Sequence, residues 1–450
     1  MLNSKWQWPL FLSASCLLIV SVTSSVPRME DKEERINENI PIGEGHNSVY
    51  VIGDLHGDVE CAYFWVKQTG LVANLGSAPS FPFDESAPSS HTRNWSWTES
   101  SSTLVFMGDY VDKGPTSKHT IEFVKSLTEQ FPNHVTAIMG NHEMELLLDR
   151  DINRKMWDGH KFYEMAYATV HPFEYLNFLP QDLRDEQVDT VVMDALYNAS
   201  IEVYGNGHHQ SAYFSLRQPG EKSIVDYVEP MQLRPVVSER LMLYQKHYMN
   251  AFKSGTELGT WLENRPIVHL SNDGTLFVHG GVRAQTVVSQ QFLNGQEDVS
   301  RINQIMASYA HEDNMTEQFL TETQMGQIVY DLLVYRGNHQ PDACGALKSA
   351  LQAMKGIARL AVGHTPGDQI KIRCDGQFLA LDSTLGRWIR ASGNEYCRGY
   401  TSYKSSNGRS VCEKIELQCQ GQIVRLRNGE IDVLDGKSTP SSSASLASEL

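Results

Sequence analysis

The sequence predicts an α/β protein with a mixed sheet whose strands end at one shared crevice. Three short apolar runs, Ser48–Ile52, Leu104–Gly108 and Val135–Met139, are typical of buried strands. Helical patterns at Val59–Thr69 and Thr120–Phe131 separate them, which gives the order β–α–β–α–β of a parallel or mixed sheet. Each run leads into acidic, histidine or asparagine residues, and ligands of open α/β sheets bind where the strand carboxyl ends meet.

The spacing of apolar residues supports both helices. In the first, Ala62 and Trp65 fall on one side. In the second, apolar residues recur at helical spacing from Ile121 to Phe131, which indicates a face turned to the core. Residues 76–103 are rich in Ser, Pro and Trp, and we interpret them as a surface insertion before the next strand.

Residues 144–262 break the alternation and are predicted to be an inserted cap. They are rich in Met, Tyr and Glu and mostly helical in pattern, with one short strand candidate at Thr190–Val192. We expect this cap to lie over the crevice and to contribute to specificity.

Beyond the cap, strand patterns return and again lead to histidines. Pro266–Leu270 and Thr275–Val278 flank an Asn-Asp-Gly turn, a strong hairpin signal, and the second strand runs into His279. The remaining predicted elements are a helix at Ala346–Ile357, a strand at Leu360–Val362 leading to Gly363-His364, a hairpin at Ile370–Asp382 and a β segment that includes Val411–Gln420.

Composition excludes some classes of partner. The 450-residue chain is 41% hydrophobic and 20% charged, as a folded protein with a sizeable core would be, and its formal net charge is −16. It therefore lacks the basic surface that nucleic-acid binding needs, and an anionic membrane surface is an equally poor partner. A phosphate-binding site would need metals or a few cations placed locally.

Both ends of the chain lie outside the predicted globular domain, which spans residues 48–435. We interpret residues 1–25 as a signal peptide, because Lys5 is followed by the short apolar stretch Pro9–Val22 and by small residues. An uncleaved anchor is the alternative, although the stretch is short for a span of about 20 residues. Residues 26–47 are a loose lead-in, and residues 436–450 are a disordered Ser-rich tail.

Cysteines and glycosylation triplets agree with a secreted protein or one in the endomembrane lumen. Six cysteines remain after signal removal, and an even number permits disulfide bonds. Five lie in the last quarter, where two bridges are expected, whereas Cys61 is expected to be a buried free thiol. The acceptor triplets begin at Asn94, Asn198 and Asn314.

The loop residues fit a site for two metal ions. Asp54 and His56 are two residues apart, so both can face one ion, and Asp109 can bridge two ions with its two oxygens. Asn141, His279 and His364 would complete the second site. This mixed oxygen and nitrogen set suits Mn first, with Fe or Zn as alternatives, and such a pair activates water for attack on a phosphoryl group.

Three neighbouring side chains complete the expected chemistry. His142 adjoins Asn141, and its ring is expected to point away from the ions, where it would serve as the general acid for the leaving oxygen. Asp112 would orient His142. Lys113, with Asn141 and a second cation from elsewhere, would hold the phosphate oxygens.

The motifs GDLHGD, GDYVDKG, GNHE, HGG and GHTP resemble the phosphoprotein phosphatase (PPP) family of calcineurin-like metallophosphoesterases. The hairpin RPIVHLSNDGTLFVHGGV and Val334–Gly337 most resemble its Shewanella-like phosphatase branch. The resemblance covers most of Ser48–Asp382 and implies a β-sandwich of mixed sheets flanked by helices. It also implies two metals and hydrolysis of phosphomonoesters without a phosphoenzyme. It supports the residue roles given above and proposes Arg336 as a phosphate clamp.

One position departs from the family. Lys113 stands where the family usually has Arg, which keeps the charge but loses the two-pronged hydrogen-bonding geometry. Phosphate binding at this position should therefore depend less on orientation.

Three functions remain open from the sequence. The first is a metal-dependent phosphoprotein phosphatase that acts on a phosphoprotein or phosphopeptide, with Ser/Thr or Tyr preference undecided. The second is a small-molecule phosphohydrolase for dinucleoside polyphosphates or nucleotides, which a closed pocket under the cap would favour. The third is a secreted scaffold that only binds. No nucleic-acid partner and no stable membrane insertion after signal cleavage are expected, and the sequence indicates no specific protein partner.

Overall fold

Two five-stranded sheets form the centre of the fold, with helices on their outer faces. The structure is a computed structural model, and it describes residues 48–79, 94–149, 174–204, 224–290, 293, 295–311, 320, 323–387, 400–404, 410–414 and 419–436. All of these residues lie in one compact unit. The α/β class, with mixed sheets flanked by helices, is confirmed.

The elements run in chain order with helices and strands interleaved. The strands are β1 (Ser48–Ile52), β2 (Val72–Ala73), β3 (Ser96–Trp97), β4 (Thr103–Phe106), β5 (Val135–Ala137), β6 (Val268–Leu270), β7 (Thr275–Val278), β8 (Arg359–Val362), β9 (Lys371–Arg373), β10 (Phe378–Ala380), β11 (Tyr400–Lys404), β12 (Ser410–Lys414), β13 (Gln422–Arg427) and β14 (Glu430–Asp435). The helices are α1 (Val59–Thr69), α2 (Ser117–Gln130), α3 (Asn141–Asp149), α4 (Glu174–Phe178), α5 (Glu186–Tyr204), α6 (Arg234–Ala251), α7 (Glu257–Glu263), α8 (Ala284–Gln290), α9 (Gln296–His311), α10 (Gln324–Val334) and α11 (Ala343–Ala353).

Parallel strands in both sheets point their carboxyl ends toward one region. The first sheet has the order β14-β13-β1-β4-β5, in which β1, β4 and β5 are parallel and β13 is antiparallel to β1. The second has the order β6-β7-β8-β10-β9, in which β7, β8 and β10 are parallel. The outer pairs β6-β7 and β9-β10 are the two hairpins predicted from their Asp-Gly turns.

The alternation of side chains along β1 explains how the two sheets pack. Val49 and Val51 point into an apolar layer shared with residues of the second sheet such as Phe277 and Leu379. Tyr50 and Ile52 point to the opposite face and join the core under the helices. Because both faces are buried, the strand appears in the sequence as a continuous apolar run.

One predicted strand is wrong. Thr190–Val192 lies inside helix α5 rather than in a sheet. The β-branched residues there are typical of strands, but Val192, Leu196 and Ala199 are buried at helical spacing, and that packing decides the local structure. The predicted loop Gly140–Glu143 also differs, because Asn141 begins helix α3.

The described part of residues 144–262 is mainly helical, as predicted. Tyr175 of α4 and Tyr248 of α6 are buried and pack edge to face, with ring centroids 5.6 Å apart. Burial, followed by the nearby Asp112 carboxylate, raises the pKa of the Tyr248 hydroxyl. These helices therefore lie close to the loop that carries Asp112. Their role as a specificity cap stays a prediction.

Two disulfide bonds connect distant parts of the described chain. Cys344 bonds Cys374, which agrees with a bridge in the last quarter. Cys61 bonds Cys419, so the predicted free thiol is wrong. The expected burial of Cys61 could not distinguish a free thiol from a disulfide, because a disulfide-bonded cysteine in a core is equally buried. Its partner lies 358 residues away in sequence, so no local pattern indicates the bond.

Several sequence predictions fall outside the described residues. They concern the signal peptide, the lead-in up to residue 47, residues 80–93 of the predicted insertion at 76–103, Asn314 and the tail from residue 437. Asn94 is described and is exposed, as glycan attachment requires, but glycosylation stays a prediction. Among the described residues, no helix is both long and apolar enough to cross a lipid bilayer.

A buried carboxylate caps the amino terminus of α2. Glu174 accepts backbone hydrogen bonds from Ser117 (2.7 Å) and Lys118 (2.9 Å), and burial raises its pKa to about 7. A pKa raised on folding contributes stability below the unfolded pKa, and this contribution is lost as the pH rises through about 7. The shift corresponds to about 3 kcal/mol.

We therefore expect Glu174→Gln to reduce the free energy of unfolding more at pH 5 than at pH 8. Urea unfolding at both pH values would measure this difference, with Glu186→Gln on the exposed first turn of α5 as the control. An equal loss at both pH values would contradict the raised pKa.

Candidate metal centre

The predicted site residues come together at the carboxyl ends of the parallel strands. Asp54 follows β1, Asp109 follows β4, His279 follows β7 and His364 follows β8. Asn141 begins α3, shortly after β5. The imidazole Nδ1 of His279 donates to the Met107 carbonyl oxygen at 2.7 Å, which fixes this histidine of the second sheet against the first.

Asp109 stands between two groups of histidines. Its Oδ2 lies 3.6 Å from His56 Nε2 and 3.9 Å from His142 Nε2. Its Oδ1 lies 3.2 Å from His279 Nε2 and accepts the His142 backbone N–H at 3.1 Å. Two triads that could each hold a metal ion share this carboxylate, namely His56, Asp109 and His142, and Asp109, His279 and His364.

Asn141 joins the second group. Its amide Oδ1 lies 3.1 Å from His279 Nε2 and 2.7 Å from His364 Nδ1. The four residues expected at the second metal are thus in mutual contact, while their role as ligands stays a prediction.

Asp54 belongs to neither triad and contacts the second group, although it is predicted to bind the first metal. One oxygen, Oδ2, accepts the backbone N–H of His364 at 2.9 Å. The other, Oδ1, is buried and has no hydrogen-bond partner in the part of the chain that the structure describes. A buried carboxylate oxygen without a partner is costly unless a cation or a donor compensates it.

His142 and Asp112 form a hydrogen-bonded pair. Nδ1 of His142 donates to Asp112 Oδ2 at 2.6 Å, so Nε2 faces Asp109. The His142 ring packs edge-on against His56, with centroids 5.0 Å apart, so it lies beside the first group rather than pointing away as expected. The reason is that Asn141 and His142 begin a helix, which turns successive side chains by about 100°.

The loops that carry these residues adopt strained backbone conformations. Non-glycine residues rarely adopt positive φ angles, which cost on the order of 1 kcal/mol or more each and concentrate at functional sites. Gly108, with φ +96°, has no room for a Cβ atom, because Gly140 lies against it. The predicted site residues with positive φ are His56 (46°), Asp109 (53°), Asp112 (70°), Lys113 (66°) and His364 (64°).

Glu143 holds this strained loop, a role that the sequence did not reveal. Its buried carboxylate accepts backbone N–H groups from Asp109, Tyr110, Val111 and Gly140 at 2.7–3.1 Å. Burial, and then the charge of Asp109, raise its pKa to about 7. Its position in the GNHE motif, one residue after the proposed acid, was the signal that could have identified it.

An ion-pair network supports the loop that carries Asp54 and His56. The Arg387 guanidinium donates to both oxygens of Asp58 at 2.8–3.0 Å and to Glu60 at 2.6 Å. Asp58 also caps α1 by accepting the Cys61 N–H. The last residue of the GDLHGD motif is therefore a structural anchor, and the sequence alone could not pair it with a residue 329 positions away.

The charges in the site favour an ionised Asp109 and a mixture of histidine states, whereas burial, followed by the charge of Asp382, raises the pKa of Asp54. Burial would raise the pKa of Asp109, but the neighbouring His279 and His142 lower it well below its usual value. Burial would lower the pKa of His279, but Asp109 and Asp54 raise it to about 10. Burial, followed by His279 and Arg336, lowers the pKa of His364 to about 2.

The pKa of His142, the proposed acid, is shifted in the opposite direction to that of His364. Burial lowers the pKa of His142, but the carboxylates of Asp109 and Asp112 outweigh burial and raise it above its usual value. A raised pKa favours the protonated form of His142, which is the form that can donate a proton.

Two cationic side chains lie beside the histidines. The half-buried Lys113 places Nζ 2.9 Å from His56 Nε2, and its charge, after burial, lowers the pKa of His56. Arg336 is exposed on the loop after α10, close enough to His364 to lower the pKa of that imidazole. Both cations are therefore near the predicted phosphate position.

The chemistry of this cluster fits divalent metals. Metal binding requires ionised carboxylates and neutral imidazoles. The lowered pKa values of Asp109, His56 and His364 favour those states, whereas the raised pKa values of Asp54 and His279 mean that these two groups would release a proton when a metal binds. The unpartnered oxygen of Asp54 is a further acceptor in buried surroundings. The imidazole nitrogens with carboxylate and amide oxygens make a set typical of Mn, Fe or Zn.

Comparison with known proteins gives a family for the amino-terminal part. Residues 48–232 match the model of the calcineurin-like phosphoesterase family. The catalytic subunit of serine/threonine-protein phosphatase 6 from Caenorhabditis elegans is 49% identical over 39 residues, 9% of this chain and 12% of that protein. A symmetrical bis(5'-nucleosyl)-tetraphosphatase from Marinomonas sp. is 32% identical over 94 residues, 20% of this chain and 33% of that protein.

The similarities are partial in length or in structure. The chain spans only 24–33% of the length of the first three curated relatives it matches. The cold-active protein-tyrosine phosphatase of a Shewanella species aligns with 87% of this chain and 81% of its own, at 15% identity and a TM-score of 0.48. The family match runs from β1 past α5, so it includes Asp54, Asp109 and Asn141 but neither His279 nor His364. Residues 48–232 of this chain are therefore assigned to the calcineurin-like phosphoesterase family.

Proposed function

We propose that this protein is a metal-dependent phosphoprotein phosphatase that hydrolyses phosphomonoesters at a two-metal centre. The observation that carries the proposal is the placement of Asp109, whose two oxygens face two separate groups of histidines. A carboxylate placed in this way could be shared by two metal ions.

The chain supplies ligands for both ions. Asp54, His56 and Asp109 would hold the first, and Asp109, Asn141, His279 and His364 the second. When bound, such a pair activates water and neutralises charge on the phosphoryl oxygens. Asp109 would position both ions, and Glu143 would keep its backbone fixed through four N–H contacts.

His142 would donate the proton to the leaving oxygen. Its raised pKa favours the protonated form, and its hydrogen bond to Asp112 leaves Nε2 directed at the centre. Asp112 holds the ring orientation and favours the protonated form. Arg336 and Lys113 would bind the phosphate oxygens, because both lie beside the histidines.

Lys113 can be separated from the metal ligands by substitution. A histidine nitrogen binds one partner, so metal binding at His56 Nε2 would leave the Lys113 ammonium to a phosphate oxygen. We expect Lys113→Met to weaken inhibition by inorganic phosphate about tenfold or more, since a charged hydrogen bond contributes about 1.5–3 kcal/mol. Metal content should not fall.

The measurement is the phosphate inhibition constant together with metal content, with Lys355→Met on an exposed position as control. Unchanged inhibition would contradict a phosphate contact, and loss of metal would assign Lys113 to the metal site instead.

The substrate class can be tested directly. Purified, Mn-loaded protein would be given phosphotyrosine peptide, phosphoserine peptide and dinucleoside tetraphosphate in parallel, with Asp109→Asn as the inactive control. Turnover of one peptide class supports the proposal and names its side-chain preference. No turnover above the control would leave a binding scaffold as the function.

A second candidate is hydrolysis of dinucleoside polyphosphates. It is supported by the similarity to a protein whose name is bis(5'-nucleosyl)-tetraphosphatase. Turnover of the tetraphosphate alone would favour this candidate over the protein phosphatase. Action in the secretory pathway, with manganese as the metal, completes the proposal, and the two disulfides are compatible with it.

A further inference from the structure

We propose that Asp382 is an additional acidic residue of the metal centre, which strengthens binding of the first cation through its contact with Asp54. This inference rests on the two-metal function proposed above. Neither the motifs nor the family match includes Asp382, which follows β10 in the second sheet.

The topology brings Asp382 to the same sheet edge as the predicted ligands. Strand β10 is parallel to β8, and the backbone N–H of Leu381 continues the pairing by donating to the Val362 carbonyl at 2.7 Å. Strand β8 leads to His364, and β10 leads to Asp382. Parallel neighbours end side by side, so the two residues emerge at the same edge.

Asp382 approaches the start of the Asp54 loop closely. A Cβ atom on Gly53 would lie 3.5 Å from the Asp382 Cα and 2.6 Å from the Leu381 carbonyl oxygen. Only glycine fits there, and the fit brings the two acidic residues together. Asp382 is 3% exposed and Asp54 is 1% exposed, so water cannot screen their charges.

Two further observations indicate a cation at this place. The Asp54 Oδ1 atom is buried and receives no hydrogen bond from an N–H or O–H donor in the described chain, and the Asp382 carboxyl lies against the Asp54 carboxyl. The Lys113 side chain already places a cationic group beside this loop, with Nζ 2.9 Å from His56 Nε2. Buried carboxylates in contact repel each other unless positive charge lies between or beside them.

If the role of Asp382 were purely structural, its side chain would need only to accept a hydrogen bond. Its Oδ1 accepts the Thr384 backbone N–H at 3.0 Å, which is the hydrogen bond of a local turn. That turn needs one oxygen atom and no charge. Asparagine would keep the oxygen and remove the charge, so it separates the two roles.

The experiment is titration of metal-depleted, full-length protein with Mn²⁺, followed calorimetrically and by metal analysis. We expect wild-type protein to bind two Mn²⁺ ions and Asp382→Asn to bind one of them about 10–100-fold more weakly, with the other site little changed. Asp382→Glu keeps the charge and should bind more tightly than Asp382→Asn, which provides a second comparison if one variant folds poorly.

The matched control is Asp273→Asn. Asp273 Oδ1 accepts the Thr275 N–H with the same two-residue spacing, but it lies on an exposed hairpin turn. If wild-type protein binds two ions and the Asn variant binds both equally well, Asp382 is only a turn residue and this inference fails. If Asn and Glu variants bind alike, it also fails. If wild-type protein binds fewer than two ions, the proposed function itself fails.

Discussion

Asp109→Asn is expected to remove both metal ions and to reduce turnover on the order of 10³-fold, which corresponds to about 4 kcal/mol of activation free energy. Each carboxylate oxygen of Asp109 faces a different group of histidines. An amide keeps one oxygen but replaces the other with an NH₂ group, which cannot bind a metal. The loss should therefore affect both predicted sites at once.

Metal analysis and initial rates of phosphopeptide hydrolysis would measure the effect of Asp109→Asn. Asp375→Asn, on the exposed turn between β9 and β10, is the matched control and should behave like wild type. Circular dichroism would establish that the variant folds, since Asp109 also accepts a backbone hydrogen bond from His142. A folded variant with full activity would end the two-metal proposal, and loss of a single ion would remove Asp109 from its bridging role.

His142→Ala is expected to lower kcat by about 10²–10⁴-fold while both metals stay bound. The neighbouring carboxylates raise the pKa of His142 above its usual value. The protonated acid is therefore depleted only as the pH rises past this raised pKa, and wild-type kcat should fall there. The alanine variant should lose this alkaline decline, and the pH profile of kcat would measure it.

The variant Asp112→Asn tests whether Asp112 acts on catalysis through His142. Because the Asp112 charge raises the pKa of His142, its removal should move the alkaline decline of kcat to lower pH. A structural role for Asp112 would lower activity without moving the profile. Loss of metal from His142→Ala would instead make His142 a ligand, as its 3.9 Å approach to Asp109 would permit.

Much of the centre could be predicted from the sequence because its residues directly follow buried strands. Asp109 and His279 are examples, since each comes within three residues of an apolar run that could only be a strand. The neighbours of these residues could not be predicted. Asp382 and Arg387 reach the centre through sheet order and long-range packing, and local sequence carries no record of either.

The errors have a related cause. The β-branched residues of Thr190–Val192 favour a strand locally, but burial at helical spacing along α5 outweighs that preference. Cys61 was expected to be free because its bonding partner is 358 residues away. In both cases the structure is determined by tertiary contacts, and a short sequence pattern carries no information about those contacts.

The disulfide bond between Cys61 and Cys419 affects what happens when a protease cuts the chain. It encloses almost the entire domain, including Asp109, Asn141, His279 and His364. A peptide bond cut once anywhere between these cysteines would leave two pieces joined covalently. Strands β1 and β13, just outside that loop, would remain paired partners on the same covalent unit. A single cut between the two cysteines would therefore release two separate polypeptides only after the disulfide is reduced. Until then all the proposed ligands would remain on one covalently linked molecule.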